Sequence, residues 1–521
     1  MRFEYGQARS GERTIRIDGR FLHSRYDPRR EAQRFVQSLA PEFPAGVSIL
    51  IGDGTGVVRE ELRNRFPEMH ALSVEPLPGG ETVITGDPDL HDTSREHPDR
   101  DTVSCSVEAP ETLSPGTIRS RMHPLHLASL QIVTWTGAQT AIPRWTETVE
   151  ATVLSALRDL KSELATIGTF GRTWLANALR RTLTLDERIA VAFSGDGLVV
   201  AAAGPRLRAL ERLVPREKRA RVPIVAASSA LSWLNDRGFK TDLAVHTDGG
   251  FWARRYMGDT GACTTGIALP LRAATGRLSR ANLFRTGWFG EELAPDRDEW
   301  IPQEDQPTVG ASLVQIAHHL RPDGHLLLCG LDLCTLGLAG HASPHRNDRY
   351  IRNGTSRLET EETIRSRRAG HLTGARILRD GGEIPAWQTP SLESYREPLA
   401  TLIEQHTRTG TLSFLEPSPV WADMTCPTGP VPTGHFSRAV LQRPGRSTRR
   451  EHARRVLKRW REQIEETPEP PALTVAGMDL LLHLAPVEAV QWLRSGDSKD
   501  ALRGELRRAT ARLLRIVEHY R

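Results

Sequence analysis

Residues 198–207, 223–234 and 242–250 read LVVAAAGPRL, PIVAASSALSWL and DLAVHTDGG. Each is a short apolar run that ends in small, hydroxyl or acidic residues and then enters a turn or an amphipathic stretch. A continuous apolar run of this length is what a strand buried on both faces requires, and such strands belong to parallel sheets covered by helices. The same grammar continues on both sides, with IAVAF at 189–193, TGIALPL at 265–271, ANLFRTG at 281–287, the helical pattern SLVQIAHHL at 312–320 and HLLLCGLDL at 325–333. Alternating apolar strands and amphipathic helices predict an α/β fold whose centre is a doubly wound, mostly parallel sheet.

Working outward, residues 46–56, GVSILIGDGTG, form an apolar strand running into a glycine turn, followed by VVREELRNRF and ALSVEP. This is a β-turn-α-β unit that ends at Glu75, about twenty residues after the turn, where a nucleotide-binding sheet places an acid on a ribose hydroxyl. Glycines in that position also serve only to let a helix pack closely on a strand, and both readings stay open. From about Thr146 to Leu183 apolar residues recur at helical spacing. The last segment carries three arginine-rich amphipathic helices, at 452–466, 478–493 and 501–520. The expected organisation is a smaller N-terminal Rossmann-like α/β domain (1–145), a helical connector (146–190), a catalytic domain (191–435) and a C-terminal helical domain (436–521).

With 521 residues, 38% hydrophobic and 26% charged, the chain is long enough for several globular cores and too apolar for disorder. Its net charge of +5 rests mostly on arginine spread along the chain, so no nucleic-acid partner is expected. Five scattered cysteines (Cys105, Cys263, Cys329, Cys334, Cys426) contain no CxxC pair and make no disulfide framework. No apolar run approaches a membrane span and the N-terminus lacks a signal-peptide core, so membrane insertion is not expected and a cytoplasmic location is.

Ligands on open α/β sheets sit at the carboxyl ends of strands, and four such turns carry candidate chemistry. Gly204-Pro205-Arg206 opens a helix whose free N–H groups suit a phosphate, although Pro at the first helical position is also an ordinary helix start. Ser228 and Ser229 offer hydroxyls to a base or ribose. Thr247 and Asp248, backed by two glycines, suit a sugar hydroxyl, a base or a metal, against a plain Asx-turn. Finally Gly310 and Ser312 open a helix, and Gly330 and Asp332 close a strand ahead of His341 and His345, which brings a carboxylate and an imidazole to one rim. A metal site from Asp332, His341 and His345 is possible but not demanded by the spacing. No GxSxG, Walker lysine or HExxH motif is present.

TFGRTWLANALRRT at 169–182 resembles the FGxxWxxN connector of motility accessory factor (Maf-type) flagellin glycosyltransferases. AAAGPRLRAL resembles their GAGPSL turn, and PIVAASSALSWLNDRGFKTDLAVHTDGG and LLLCGLDL with His341 resemble their later segments in family order. The resemblance covers roughly residues 165 to 345. It implies a central sialyltransferase-like, Rossmann-type domain (MptE-like) that moves a sialic, pseudaminic or legionaminic sugar from a CMP donor to Ser/Thr of flagellin, without a metal cofactor. On that resemblance Gly204 and Pro205 lie against the donor phosphate, Ser228 and Ser229 near the nucleotide, Asp248, Gly330 and Asp332 around the sugar, and His341 is the base. The chain departs from the pattern at Arg206, where the family has serine, and at Thr241, where it has proline; an arginine can still pair with a phosphate. The rival readings are a 6-hydroxymethylpterin diphosphokinase using ATP and Mg²⁺ held by Asp248 and Asp332, and a non-catalytic flagellin-binding factor.

Overall fold

A computed structural model describes residues 1–39, 46–67, 69–79, 81–86, 113–250, 252–370, 376–378, 385–422, 430–465, 474–495 and 499–520. Cys105 and Cys426 lie outside them. The chain divides into two compact units, one of Met1–Arg172 with Leu457–Arg512 and one of Thr173–Val456 with Leu513–Arg521. Among the described residues no helix is long and apolar enough to cross a membrane.

The first unit opens with a three-stranded antiparallel sheet, β1 (Phe3–Gln7), β2 (Arg13–Ile17) and β3 (Arg20–Phe21). Its main sheet has β4 (Val47–Ile51), β5 (His70–Pro76), β6 (Thr82–Gly86) and β7 (Leu130–Thr134) in the order β6-β5-β4-β7. β4 is parallel to β5 and β7, while β6 runs antiparallel at the edge. β4 is wholly buried because its sequence, VSILI, leaves no solvent face. The C-terminal helices Val475–Leu484 and Pro486–Ser495 belong to this unit, where Arg172 Nε donates to the Leu484 carbonyl at 2.8 Å. The unit boundaries therefore fall elsewhere than the sequence-based limits, and the 436–521 stretch is shared between the two units.

The second unit is built on a ten-stranded sheet. Its strands are β8 (Glu187–Gly195), β9 (Gly197–Ala201), β10 (Ile224–Ala227), β11 (Leu243–Val245), β12 (Gly266–Pro270), β13 (Arg280–Arg285), β14 (Ile301–Pro302), β15 (His325–Cys329), β19 (Thr411–Phe414) and β20 (Gly434–Gln442). A small antiparallel sheet of β16 (Thr335–Leu336), β17 (Arg376–Leu378) and β18 (Ala386–Gln388) lies between β15 and β19 in the chain. The large sheet has the order β19-β15-β9-β10-β11-β12-β13-β8-β20, with β14 on β13. All its pairings are parallel except β20 on β8. The expected mostly parallel sheet is thus present, and its central strands β9, β10 and β11 are buried at every residue. From β9 the chain winds through β10 to β13 in one direction, then returns to place β15 on the other side of β9. The gap between β9 and β15 is therefore the topological switch point, the place where such sheets open a crevice at their carboxyl ends.

Candidate active site

The two strands at the switch point are locked tip to tip. The Ala202 N–H donates to the Cys329 carbonyl at 2.9 Å, and the Gly204 N–H donates to that of Gly330 at 2.8 Å. Asp332 follows, 4% exposed, and its Oδ2 accepts the Arg206 N–H at 2.8 Å. Gly204 must lack a side chain here, because a Cβ would run into Asp332 Oδ2 and the Gly330 carbonyl. Gly330 itself has φ +69°, and a Cβ on it would overlap the Ala202 carbonyl. Burial lifts the Asp332 pKa to about 6, with the Arg206 N–H and charge opposing. The structure therefore brings the Gly204-Pro205-Arg206 turn and the Gly330–Asp332 tip together, with the chain's own carboxylate on the Arg206 amide. The Arg206 guanidinium donates to the Pro417 carbonyl.

The loop carrying the histidines returns to this point, since the Ala342 N–H donates to the Ala203 carbonyl at 2.9 Å. His341 is exposed and lies flat on His345, with ring centroids 4.1 Å apart and planes 3° from parallel. Crowding by surrounding protein lowers the pKa of His341, and burial together with the neighbouring His341 takes His345 down to about 3. Both rings are neutral at physiological pH, so His341 can accept a proton. Asp332, His341 and His345 do not assemble into a metal-holding set, and no such group of three occurs among the described residues. The Tyr256 ring stands 5.5 Å from His345, and its hydroxyl donates to Asn347 Oδ1 at 3.4 Å. Burial raises the Tyr256 pKa, and the Asp248 charge adds to the rise, which puts Asp248 within electrostatic reach of the same loop.

Asp248 is exposed, and its Oδ1 accepts the Gly250 N–H at 2.6 Å, so it does form an Asx-turn while its carboxylate faces solvent. Thr247 beside it is half-buried. This turn is held from behind by one face of helix Pro143–Thr184. Trp174 lies where a Cβ on Gly249 would stand, and Asn177 Nδ2 donates to the carbonyls of Gly249 at 3.1 Å and Arg272 at 3.2 Å. One turn further on, buried Arg181 donates to the Leu271 and Ala273 carbonyls and to Thr275 Oγ1, and burial lowers its pKa to about 9. The spacing W-x-x-N-x-x-x-R is thus a clamp on the tips of β11 and β12.

Ser228 is buried at the tip of β10 and bonded to His246, while Ser229 is half-buried. Gly310 and Ser312 are both buried in helix Val309–Leu320, capped by Thr308, and a Cβ on Gly310 would stand 2.9 Å from the Leu331 side chain. They pack the helix start against the β15 tip. A cleft of about 320 Å³ lies elsewhere, between Pro302–Glu304 and His318, His319 and Leu402, and contains none of these residues. Residues that sequence reasoning did not assign are His246, Tyr256, Asn347 and Arg181; only the WxxN spacing and the acid-flanking histidine in HTDGG could have signalled them.

In the first unit the glycine turn is closed by the chain itself. Asp53 accepts the N–H groups of Val58 and Arg59, both at 3.0 Å, and Glu75 accepts that of Gly54 at 2.6 Å. Burial raises the pKa of both acids, and the charge of Asp53 raises Glu75 further. A Cβ on Gly52 would overlap Ala138 and one on Gly54 would overlap Leu22, so these glycines serve close packing.

No known family's sequence profile matches the chain. An uncharacterized protein from Treponema pallidum (strain Nichols) is 34% identical over 117 residues, which are 22% of this chain and 25% of that one. The chain thus matches about a quarter of that relative's length. Among solved structures, a Maf glycosyltransferase from Magnetospirillum magneticum AMB-1 is similar over 100% of this chain and 92% of its own, with a TM-score of 0.53 and 10% identity. That likeness is one of fold.

Proposed function

We propose that this chain is a glycosyltransferase that moves a nonulosonic sugar, of sialic, pseudaminic or legionaminic type, from a CMP donor to Ser/Thr hydroxyls of flagellin in the cytoplasm. The observation that carries the reading is that the exposed His341 imidazole sits on a loop tied to the β9 tip by the Ala342 N–H bond to the Ala203 carbonyl, at the switch point of a parallel sheet, with the solvent-facing Asp248 carboxylate at the tip of β11. The fold likeness to a Maf glycosyltransferase supports it. In this reading the nucleotide lies over the β9 and β10 tips, by Gly204, Pro205, Arg206, Ser228 and Ser229. Thr247 and Asp248 hold sugar hydroxyls, and Asp332 and Gly330 shape the floor of the crevice. Gly310 and Ser312 support that floor from the helix start.

Transfer to a hydroxyl needs a base that is unprotonated at working pH and open to the acceptor. His341 meets both conditions, since its pKa is lowered and its ring is exposed. The fixed stack on His345 orients it. No metal ion enters these steps.

Calorimetry with CMP, and separately with ATP and Mg²⁺, tests the reading together with the intact mass of flagellin from cells carrying wild type, a deletion or Asp248→Ala. CMP should bind, and sugar-sized mass increments should vanish in the deletion and in Asp248→Ala. Absence of CMP binding with tight ATP–Mg²⁺ binding would give the pterin diphosphokinase reading instead. Unchanged flagellin masses in the Asp248→Ala strain, with masses altered in the deletion, would leave a non-catalytic flagellin-binding factor.

A further inference from the structure

The cleft of about 320 Å³ between Pro302–Glu304 and His318 is lined by none of the switch-point residues and lies at the other end of the helix that Gly310 and Ser312 open. Two helices end beside it. Val309–Leu320 contributes His318 from its last turn, and Arg396–Thr407 contributes Gln405 from its own. The carbonyls of a last helical turn lack intrahelical partners and carry the negative end of the helix dipole, so both helices favour a positive charge here.

The fold also fixes which nitrogen of His318 is left bare. His406, buried behind it, has Nε2 at 3.1 Å from the Gly324 carbonyl and 3.2 Å from that of Thr411. A carbonyl only accepts, so His406 Nε2 carries a hydrogen. Burial lowers the His406 pKa, and the charge His318 can carry lowers it further, so the ring is neutral and its Nδ1 is an acceptor. His318 Nδ1 lies 2.9 Å from that atom and must donate to it. The neutral His318 ring therefore keeps its hydrogen on Nδ1 and a lone pair on Nε2, and Nε2 has no hydrogen-bond partner among the described residues. On the facing wall the Gln315 amide accepts the Glu304 N–H at 3.0 Å and donates to the Glu304 carbonyl at 3.2 Å, which holds that backbone in place. The Glu304 carboxylate has no ion-pair partner among the described residues, and neither lysine nor arginine lines the cleft. Between these polar groups lie Val314, Leu402, Pro302 and Pro322.

We propose that this cleft is a second ligand site that takes a primary alkylammonium group, with Glu304 and His318 Nε2 accepting its hydrogens and the apolar side chains holding its carbon chain. An ammonium has three donors and no acceptor, which matches a rim of acceptors without a cation. The volume is about ten times the roughly 30 Å³ share of one water, which suits an organic cation and leaves a bare ion loose. His406 is a positioning residue, since it acts through the His318 tautomer. The site is independent of the proposed transferase activity.

The test is titration of the full chain, followed by NMR, with pentylamine, pentanol and pentanoate, which share a carbon chain and differ in charge. Pentylamine should bind at least tenfold more tightly than the other two, and Glu304→Gln should remove about tenfold of its affinity while leaving pentanol unchanged. Long-range proton–nitrogen correlation should show His318 protonated on Nδ1, with the Nε2 signal moving as the amine is added. His406→Phe, which withdraws the acceptor, should release that tautomer and weaken pentylamine; should it not fold, Glu304→Gln and the wild-type nitrogen spectrum decide alone. Cadaverine and Nα-acetyl-lysine amide then separate the two sources of such a group. Tighter binding of cadaverine supports a free diamine as ligand, and tighter binding of the lysine amide supports a protein side chain. Equal binding of pentylamine, pentanol and pentanoate, binding of none of them, or a hydrogen on His318 Nε2 would overturn the proposal.

Discussion

Replacing Asp332 with asparagine separates the charge of this residue from its shape. The carboxyl is buried at the β15 tip, its Oδ2 accepts the Arg206 N–H, and its pKa is raised from 3.8 to about 6, chiefly by burial. A rise of about two units corresponds to roughly 3 kcal/mol of differential stability between the protonated and ionised forms. The folded state holds the proton more tightly than the unfolded chain. Stability from this group is therefore fully present below pH 3.8, lost as pH climbs to about 6, and flat above that. Asparagine keeps the acceptor for Arg206 and carries no charge, so it imitates the protonated acid at every pH. The stability of Asp332→Asn minus that of wild type should thus increase by up to roughly 3 kcal/mol between about pH 4 and pH 7. Equilibrium urea unfolding of both proteins across that range reads the difference directly, because the other titrating groups are common to both chains and cancel. A difference that stays flat with pH would refute the reasoning, for it would mean that Asp332 ionises as an ordinary exposed carboxyl. A variant that is more stable yet transfers less sugar would place Asp332 among residues kept for function at a cost in stability.

Asn177→Ala removes the donor shared by the Gly249 and Arg272 carbonyls; it should cost about 1–3 kcal/mol in urea unfolding and weaken CMP binding measured by calorimetry. Arg443 is fully buried and makes two 2.7 Å hydrogen bonds to Asp296. Arg443→Ala strands that carboxylate and should destabilise by about 3–5 kcal/mol, whereas Arg443→Met with Asp296→Leu should recover most of the loss in the same assay. Asp53→Ala unbonds the first N–H groups of helix Val57–Arg65 and should lower stability by roughly 0.5–2 kcal/mol. It should leave the affinity for CMP unchanged.

The central sheet could be read from sequence because its strands are buried on both faces, which leaves LVVA, IVAA and LAV as unbroken apolar runs with no alternation to confuse with an exposed strand. The turns at Gly204, Ser228, Asp248 and Gly330 followed as the ends of those runs. What joins them did not follow, because the joining bonds are non-local: Asp332 reaches Arg206 across 126 positions, and Asn177 reaches Gly249 across 72. The resemblance supplied the WxxN pattern but not its partners, and Arg181, one turn on, lies outside that pattern. His246 was visible only as a neighbour of Asp248, since a strand-end histidine shows neither its tautomer nor its partner in sequence. The edge strand β20 and the allotment of the C-terminal helices to the first unit likewise depend on contacts between distant segments.

The two glycine turns of this chain look alike in sequence and differ in what fills them. In the first unit Asp53 belongs to the turn, takes two helix-start N–H groups, and leaves Gly54 to Glu75; the amides an anion would use are already bonded, and Ala138 and Leu22 pack where glycine leaves room. In the second unit Asp332 comes from another strand, takes a single N–H, and meets the turn across the switch point. A pKa near 6 means that near neutral pH a modest change in local charge moves its proton, so this negative charge can be discharged without unfolding the turn. The first turn offers no comparable release, because two acids and two packed side chains would have to give way together. On physical grounds, then, the GxGxG turn is a packing device that shares only its glycines with a binding loop, and the nucleotide site proposed above is placed at the β9–β15 switch point instead.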